Sequence, residues 1–231
     1  MTENPLAISF RDSLTEEVSG CVTDFAEIGL DSVMEDGLLK EIPFLSTAVS
    51  LYRIGQSIRE RNHIAKLAAF MTRINEGILS EDDRKRYQEK FQANAKFRDQ
   101  ELEYILILID RYISKDKAKL LATLYLAYLD GRIDWNRFAE FSEIIDRLLP
   151  ADFDCLFEFM CHGGVELEKT KIEIASVLRL LAVGFVSQEQ PAVNALLGMN
   201  KPRDSMDYLI TDYGREFVKK FDADIRTAHV K

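Results

Sequence analysis

Proline and glycine are scarce in this chain, at 5 and 11 of 231 residues. An all-β fold of this length needs more tight turns than such a supply provides. Cysteine is equally thin, with three residues, too few for a disulfide framework. With no signal-peptide pattern at the start, a reducing, cytoplasmic location is expected. No run approaches about 18 uncharged apolar residues, so a conventional membrane span is not expected. The signatures of common chemistry are missing as well. The chain has no phosphate-binding glycine loop, no HExxH, no GxSxG and no EF-hand spacing. No nucleophile, base and oxyanion donor can be assembled from the motifs. The expectation is a non-enzymatic protein without cofactor or metal.

Hydrophobic residues make up 47% and charged residues 30%, the balance of an ordinary globular protein. The net charge of −9 argues against a general nucleic-acid binder. That charge is unevenly spread. Residues 1–41 hold ten acids and two bases, whereas residues 53–98 hold eleven bases and six acids. An acidic arm beside a basic middle can attract it over a Debye length of about 8–10 Å; clustered surface charge is the plainer reading.

Helical periodicity dominates the chain. Ser13 and Glu16 have the spacing of a capping box, while Gly20, Gly29 and Gly37 interrupt the acidic segment. Pro43 suits a first helical turn, and a further helix is expected from Ser80 through Phe97. The YILILI run within residues 101–113 is too wide a stripe for a surface helix. Ser114 and Asp134 read as N-caps, and Gly131 and Pro150 as stops. Asp152 opens a short helix that ends at Gly163 and Gly164. Connections of two to five residues predict an antiparallel bundle. Ile109-Asp110-Arg111 and Ile145-Asp146-Arg147 form a weak echo 36 residues apart, compatible with a duplicated hairpin or with chance. Asp110 and Asp146, each beside an Arg, suit buried ion pairs or, more simply, the solvent edge of their helices.

Four regions hold candidate functional residues. Asp130-Gly131-Arg132-Ile133-Asp134 is acidic, but a C-cap followed by an N-cap explains every residue of it. Cys155, Cys161 and His162 share a short helix; adjacent Cys161 and His162 diverge by about 100° on a helix, so the cysteines read as small core residues. Residues 42–55 are nearly uncharged and lead into Arg59, Arg61, His63 and Lys66. Such a segment suits a bundle core. It also suits a bilayer interface, with Arg59, Arg61 and Lys66 near lipid phosphates and the acidic arm as a restraint. The apolar stretch is short, which favours the core. Finally, residues 168–183 read as a helix bearing Lys169, Lys171 and Arg179 beside Glu168 and Glu173.

At the C-terminus, Leu180-Leu181-Ala182-Val183-Gly184-Phe185-Val186 precedes Tyr208-Leu209-Ile210-Thr211-Asp212-Tyr213-Gly214-Arg215-Glu216-Phe217. This pattern resembles the winged-helix family over residues 135–225. The resemblance implies a wing formed by two β-prone segments, 185–187 and 208–211, and a recognition helix at 168–183. In that family the helix enters DNA or serves protein contacts. Its mixed charge here lacks the positive face that phosphate contacts require, so protein binding is expected and DNA binding should be weak. Leu120 to Leu149, with its Asp-Gly-x-Ile-Asp turn, is faintly similar to the tellurite-resistance B-type helical family, without that family's acidic metal constellation. The order of the KEIPFLSTAVSLYRIGQSIRER, IDRYISKDKAKLLATLYLAYLDGRIDW and winged-helix-like segments looks like a widespread group of bacterial helical proteins.

The expected organisation is mainly α. An acidic segment, 1–41, precedes a helical bundle, 42–134, and a winged-helix-like part, 135–231, packed on it. The expected function is regulatory or interaction work with a protein partner. The alternatives are a winged-helix DNA-binding regulator and a membrane-surface effector of toxin or phage-defence type acting through 42–66. The latter would add the inner membrane face to the cytoplasm as a location.

Overall fold

A computed structural model describes residues 5–15, 43–52, 57–77, 95–162, 164–166, 172–188 and 207–228, with isolated positions between 82 and 93. The expected glycine breaks at Gly20, Gly29 and Gly37, most of the helix expected over 80–97, and Lys169 and Lys171 lie outside the described residues. The protein is mainly α with one small antiparallel sheet. It divides into two compact units, Met1–Ser142 and Glu143–Lys231.

The first unit contains α1 (Pro5–Thr15), α2 (Pro43–Tyr52), α3 (Ile58–Gly77), α4 (Ala95–Arg111) and α5 (Lys115–Leu129). It also takes most of α6 (Trp135–Arg147). Helix α5 is buried on nearly all sides from Leu121 to Ala127, which is why its charges stop at Lys119. Its buried Thr123 hydroxyl accepts a 3.0 Å bond from Arg73 Nε of α3. Helix α3 packs along it, burying Ile64, Leu67, Phe70, Met71 and Ile74. Their spacing of three and four residues is the apolar stripe of a core-facing helix.

The 42–66 segment falls on two helices, α2 and α3, and the apolar side of α2 lies in the core through Phe44, Leu45 and Ala48. The acidic segment is likewise more than an arm. Its helix α1 buries Leu6, Phe10 and Ser13. Phe10 meets Phe44 at 5.2 Å, Phe70 at 6.2 Å and Tyr125 at 6.2 Å between ring centroids. Ser13 does not open a helix but sits near the end of α1, where its Oγ accepts a 2.9 Å bond from Phe44 N. A first-turn amide of α2 has no intrahelical acceptor, and a hydroxyl 31 residues earlier satisfies it.

The local caps follow the sequence. Ser114 Oγ accepts from Lys117 N at 3.3 Å, and Asp134 Oδ1 from Arg137 N at 2.8 Å. Between them Gly131 adopts φ 73°, the left-handed turn that ends α5. Leu124, Phe138, Phe141 and Ile145 are each fully buried. The expected boundary at 134/135 moves into α6, because the first turns of that helix complete an aromatic cluster of the first unit. Trp135 stacks on Phe138 at 4.9 Å and meets Tyr104 and Tyr128 edge-on. Tyr128 Oη donates to the buried carboxylate of Glu101.

In the second unit α7 (Pro150–His162) is followed by β1 (Gly164–Glu166), α8 (Ile174–Ala182), β2 (Val186–Gln188), β3 (Asp207–Ile210) and α9 (Asp212–Ala228). The expected hairpin is present as β2 and β3, with Ser187 opposite Leu209. Strand β1 is an addition: it pairs antiparallel with the other edge of β3, Val165 opposite Tyr208, giving the order β1-β3-β2. Gly163 and Gly164 suggested only a helix stop. The strand forms because β3 offers a second row of backbone donors and acceptors that need partners.

Beneath the sheet Phe185 packs on Phe217 at 4.6 Å and Tyr213 at 5.4 Å. Gly184 turns the chain with φ 78°. Gly214 is required for a different reason: a Cβ there would lie 2.4 Å from the Phe185 carbonyl oxygen. Thr211 fastens the same place, donating to Gly184 O at 2.8 Å and accepting from Gly214 N at 3.0 Å.

Candidate interaction surfaces

Helix α8 has nine residues and one charge. Ser176, Val177 and Leu180 face the core of the second unit. The opposite side presents Ile174, Ala175, Leu178 and Ala182, all exposed. Ile174 and Leu178 retain 49% and 51% of their full exposure, which is unusual for two large aliphatic side chains one turn apart.

The single cation of α8 does not serve that face. Arg179 reaches α7, where its Nε donates to Asp152 Oδ1 and Oδ2 at 3.0 and 2.8 Å and its Nη2 to Oδ1 at 2.7 Å. Nη2 also reaches Ser176 Oγ at 3.1 Å. Asp152 is fully buried and caps the start of α7 by accepting from Leu149 N at 2.8 Å. Burial raises the Asp152 pKa, but the hydrogen bonds from Arg179, Leu149 N–H and Ser176 outweigh it and hold the carboxyl below its ordinary range. Arg179, expected as an interaction cation, is therefore committed to a two-pronged bond inside its own unit.

Neighbouring Cys155 is buried, and burial together with Asp152 pushes its thiol up to about 11. It is a protonated core atom at neutral pH. Cys161 departs from the expectation of a core residue: it is exposed, one position short of the α7 end. His162 Nδ1 lies 3.0 Å from Glu158 O and 3.5 Å from Glu158 Oε2. Among the described residues, no group of three or more His, Cys, Asp or Glu side chains is placed to hold a metal ion.

The expected basic group of the first unit is also reorganised. Arg59, His63 and Lys66 recur on one side of α3 and converge on the end of α4. Arg59 Nη2 meets Asp110 Oδ2 at 2.9 Å, and His63 Nδ1 lies 3.6 Å from Oδ1. Asp110 thus sits at the half-exposed edge of α4. Lys66 goes further in. It retains 3% exposure, and its Nζ donates to Asp110 O at 3.0 Å and Tyr112 O at 2.6 Å. Helix-terminal carbonyls lack intrahelical donors and carry partial negative charge, so a buried ammonium suits them.

Burial lowers the Lys66 pKa, with Arg59 adding to the effect and Asp110 opposing it. Burial also lowers that of His63, reinforced by Lys66 and Arg59 against Asp110. Lys66 is accordingly a structural residue rather than one offered to lipid or partner, while Arg61 is half-buried on α3. A groove of about 800 Å³ opens here, lined by Leu6, Arg59, His63, Ile107, Asp110 and Arg111 among others. Ile107, expected to be buried within the YILILI run, is 52% exposed in it.

Family models, curated proteins and solved structures were compared with the chain, and none matches. Among the described residues no helix is long and apolar enough to cross a membrane.

The outward side of α8 carries no charged residue to mark it in the sequence. Its signal was legible: Ile174, Ala175, Leu178 and Ala182 follow helical spacing beside a second, equally apolar stripe of Val177 and Leu180. One nine-residue helix cannot bury both stripes against one core.

Proposed function

We propose that the chain is a non-enzymatic regulatory or interaction protein whose C-terminal unit is a winged-helix-like module that docks another protein on the outward side of α8. The observation that carries this reading is the uncharged apolar surface of Ile174, Ala175, Leu178 and Ala182. Support for the winged-helix comparison comes from the strand order β1-β3-β2, with α8 between β1 and β2 in the chain. The recognition position is then α8. A DNA reader needs donors to base edges and cations to phosphates there, and none of these four side chains supplies either. A protein partner needs apolar anchors, and burying what remains exposed of Ile174 and Leu178 would contribute about 1 kcal/mol each.

The test compares the wild-type chain with Ile174→Glu and Leu178→Glu, both of which leave the buried side of α8 intact. A host protein retained by the wild type and lost with either variant, at unchanged far-UV circular dichroism, supports the reading. Duplex binding is measured in parallel at two salt concentrations. Specific binding at physiological salt in the range of about 10⁻⁸–10⁻¹¹ M would replace the proposal with a DNA-binding regulator.

A further inference from the structure

The outward side of α8 has an internal order of large and small residues. Exposed Leu178 stands at its middle, with exposed Ile174 one turn before it and exposed Ala182 one turn after. Exposed Ala175 and half-buried Leu181 lie three residues to either side of the same point. Large and small therefore change places about Leu178: Ile174 mirrors Ala182, and Leu181 mirrors Ala175.

A two-fold axis through Leu178 sets a second α8 antiparallel to the first. In such an isologous contact residue i meets residue j, and j meets i. Leu178 then meets its own copy, Ile174 lies against Ala182 of the second copy, and Leu181 against Ala175 of the second copy. Apart from Leu178, each large side chain faces a methyl group. Alternation of large and small across facing positions lets two helices interlock at an interaxial distance of about 8–10 Å. A parallel pair would instead set Ile174 on Ile174 and Ala182 on Ala182, a collision at one end and a gap at the other.

Charge selects the same arrangement. A chain of net charge −9 repels its own copy, so self-contact needs a surface without like charge. None of the five side chains on this side of α8 is charged, and Arg179 is held by Asp152. The acid that flanks the helix is exposed Glu173, at its N-cap. Antiparallel pairing places the two Glu173 at opposite ends, about 15 Å apart along the axis at 1.5 Å per residue, beyond the Debye length of about 8 Å. Parallel pairing would bring them side by side.

We propose that the outward side of α8 docks a second copy of this chain, antiparallel about Leu178. This occupant rests on the reading of α8 as a docking face. One side of a nine-residue helix is smaller than the about 800 Å² per partner of a stable complex, so the dimer is reversible, with a dissociation constant of about 10⁻⁵–10⁻³ M.

The test is sedimentation equilibrium of the full chain from about 10 μM to about 1 mM, at low and at high salt. A concentration-dependent dimer is expected. It should strengthen with salt, because screening removes the repulsion between two acidic chains and costs an uncharged contact nothing. Leu178→Glu should weaken it by about tenfold or more, since the axis sets the two carboxylates together. Ile174→Ala and Ala182→Ile should each weaken it, and the double variant, which exchanges large and small, should recover the wild-type constant. All three positions are exposed, so far-UV circular dichroism should stay unchanged. A monomer throughout, a dimer that Leu178→Glu leaves intact, a dimer that dissociates with salt, or a double variant no better than its singles would each overturn the proposal. Host-protein retention separates that failure from failure of the docking face itself. If the chain stays monomeric while Ile174→Glu still loses a host protein, the face stands with another occupant; if Ile174→Glu changes neither, both readings fall.

Discussion

Replacing Phe10 by Ala asks whether the N-terminal helix is an accessory arm or part of the core. Phe10 retains 1% exposure and contacts rings from α2, α3 and α5. Truncating a buried Phe to Ala costs about 3–5 kcal/mol, from lost transfer energy and the cavity left behind. With partners on three helices, no single one can move to fill the space, which places the cost in the upper half of that range. Trp135 is the chain's one tryptophan and lies in the first unit against Phe138 and Tyr128. Its fluorescence in urea therefore reports that unit. The midpoint should fall substantially at an unchanged slope, and thermal unfolding of the unit should drop by about 10 °C. A loss below about 1 kcal/mol would refute the placement of α1 in the core. A deletion of residues 1–37 meant to release the acidic arm would carry the same cost. Such a deletion removes Phe10 and the Ser13 cap, so lipid binding gained that way would report an opened core.

Ser13→Ala should cost about 1 kcal/mol on the same fluorescence assay, as loss of a helix cap does; no loss would mean that water replaces the hydroxyl on Phe44 N. His63 gives a pH dependence. Its folded pKa lies below the unfolded value of about 6.5, so the unfolded chain binds the proton first. The contribution is complete above about pH 6.5 and is lost as pH falls below it; His63→Gln should flatten the urea midpoint there, and an unchanged slope would exclude His63 as the cause. Gly214→Ala should destabilise the second unit by about 1–3 kcal/mol, because its Cβ would meet the Phe185 carbonyl oxygen at 2.4 Å. Circular dichroism that shows wild-type stability would mean that Phe185 and α9 are not so closely apposed.

Local structure was written in local residues. Helix periodicity, the caps at Ser114 and Asp134, the left-handed turn at Gly131 and the two β-prone segments of the hairpin each depend on neighbours within about five positions, where steric and hydrogen-bonding preferences act directly. The mainly α class follows from them. What the tertiary structure decided is where each side chain's partner lies. Lys66 reads in the sequence as one more surface cation after Arg59 and Arg61. Only the arrival of the α4 terminus, more than 40 residues away, gives it carbonyls to bond and makes its burial tolerable. Ser13 looks like the start of a helix, and becomes the cap of another one when α1 meets α2. Arg179 looks like a ligand for phosphate until Asp152, 27 residues earlier, claims its guanidinium. Short-range rules fix backbone conformation; the pairing of buried charges and caps depends on contacts between distant segments, which periodicity does not encode.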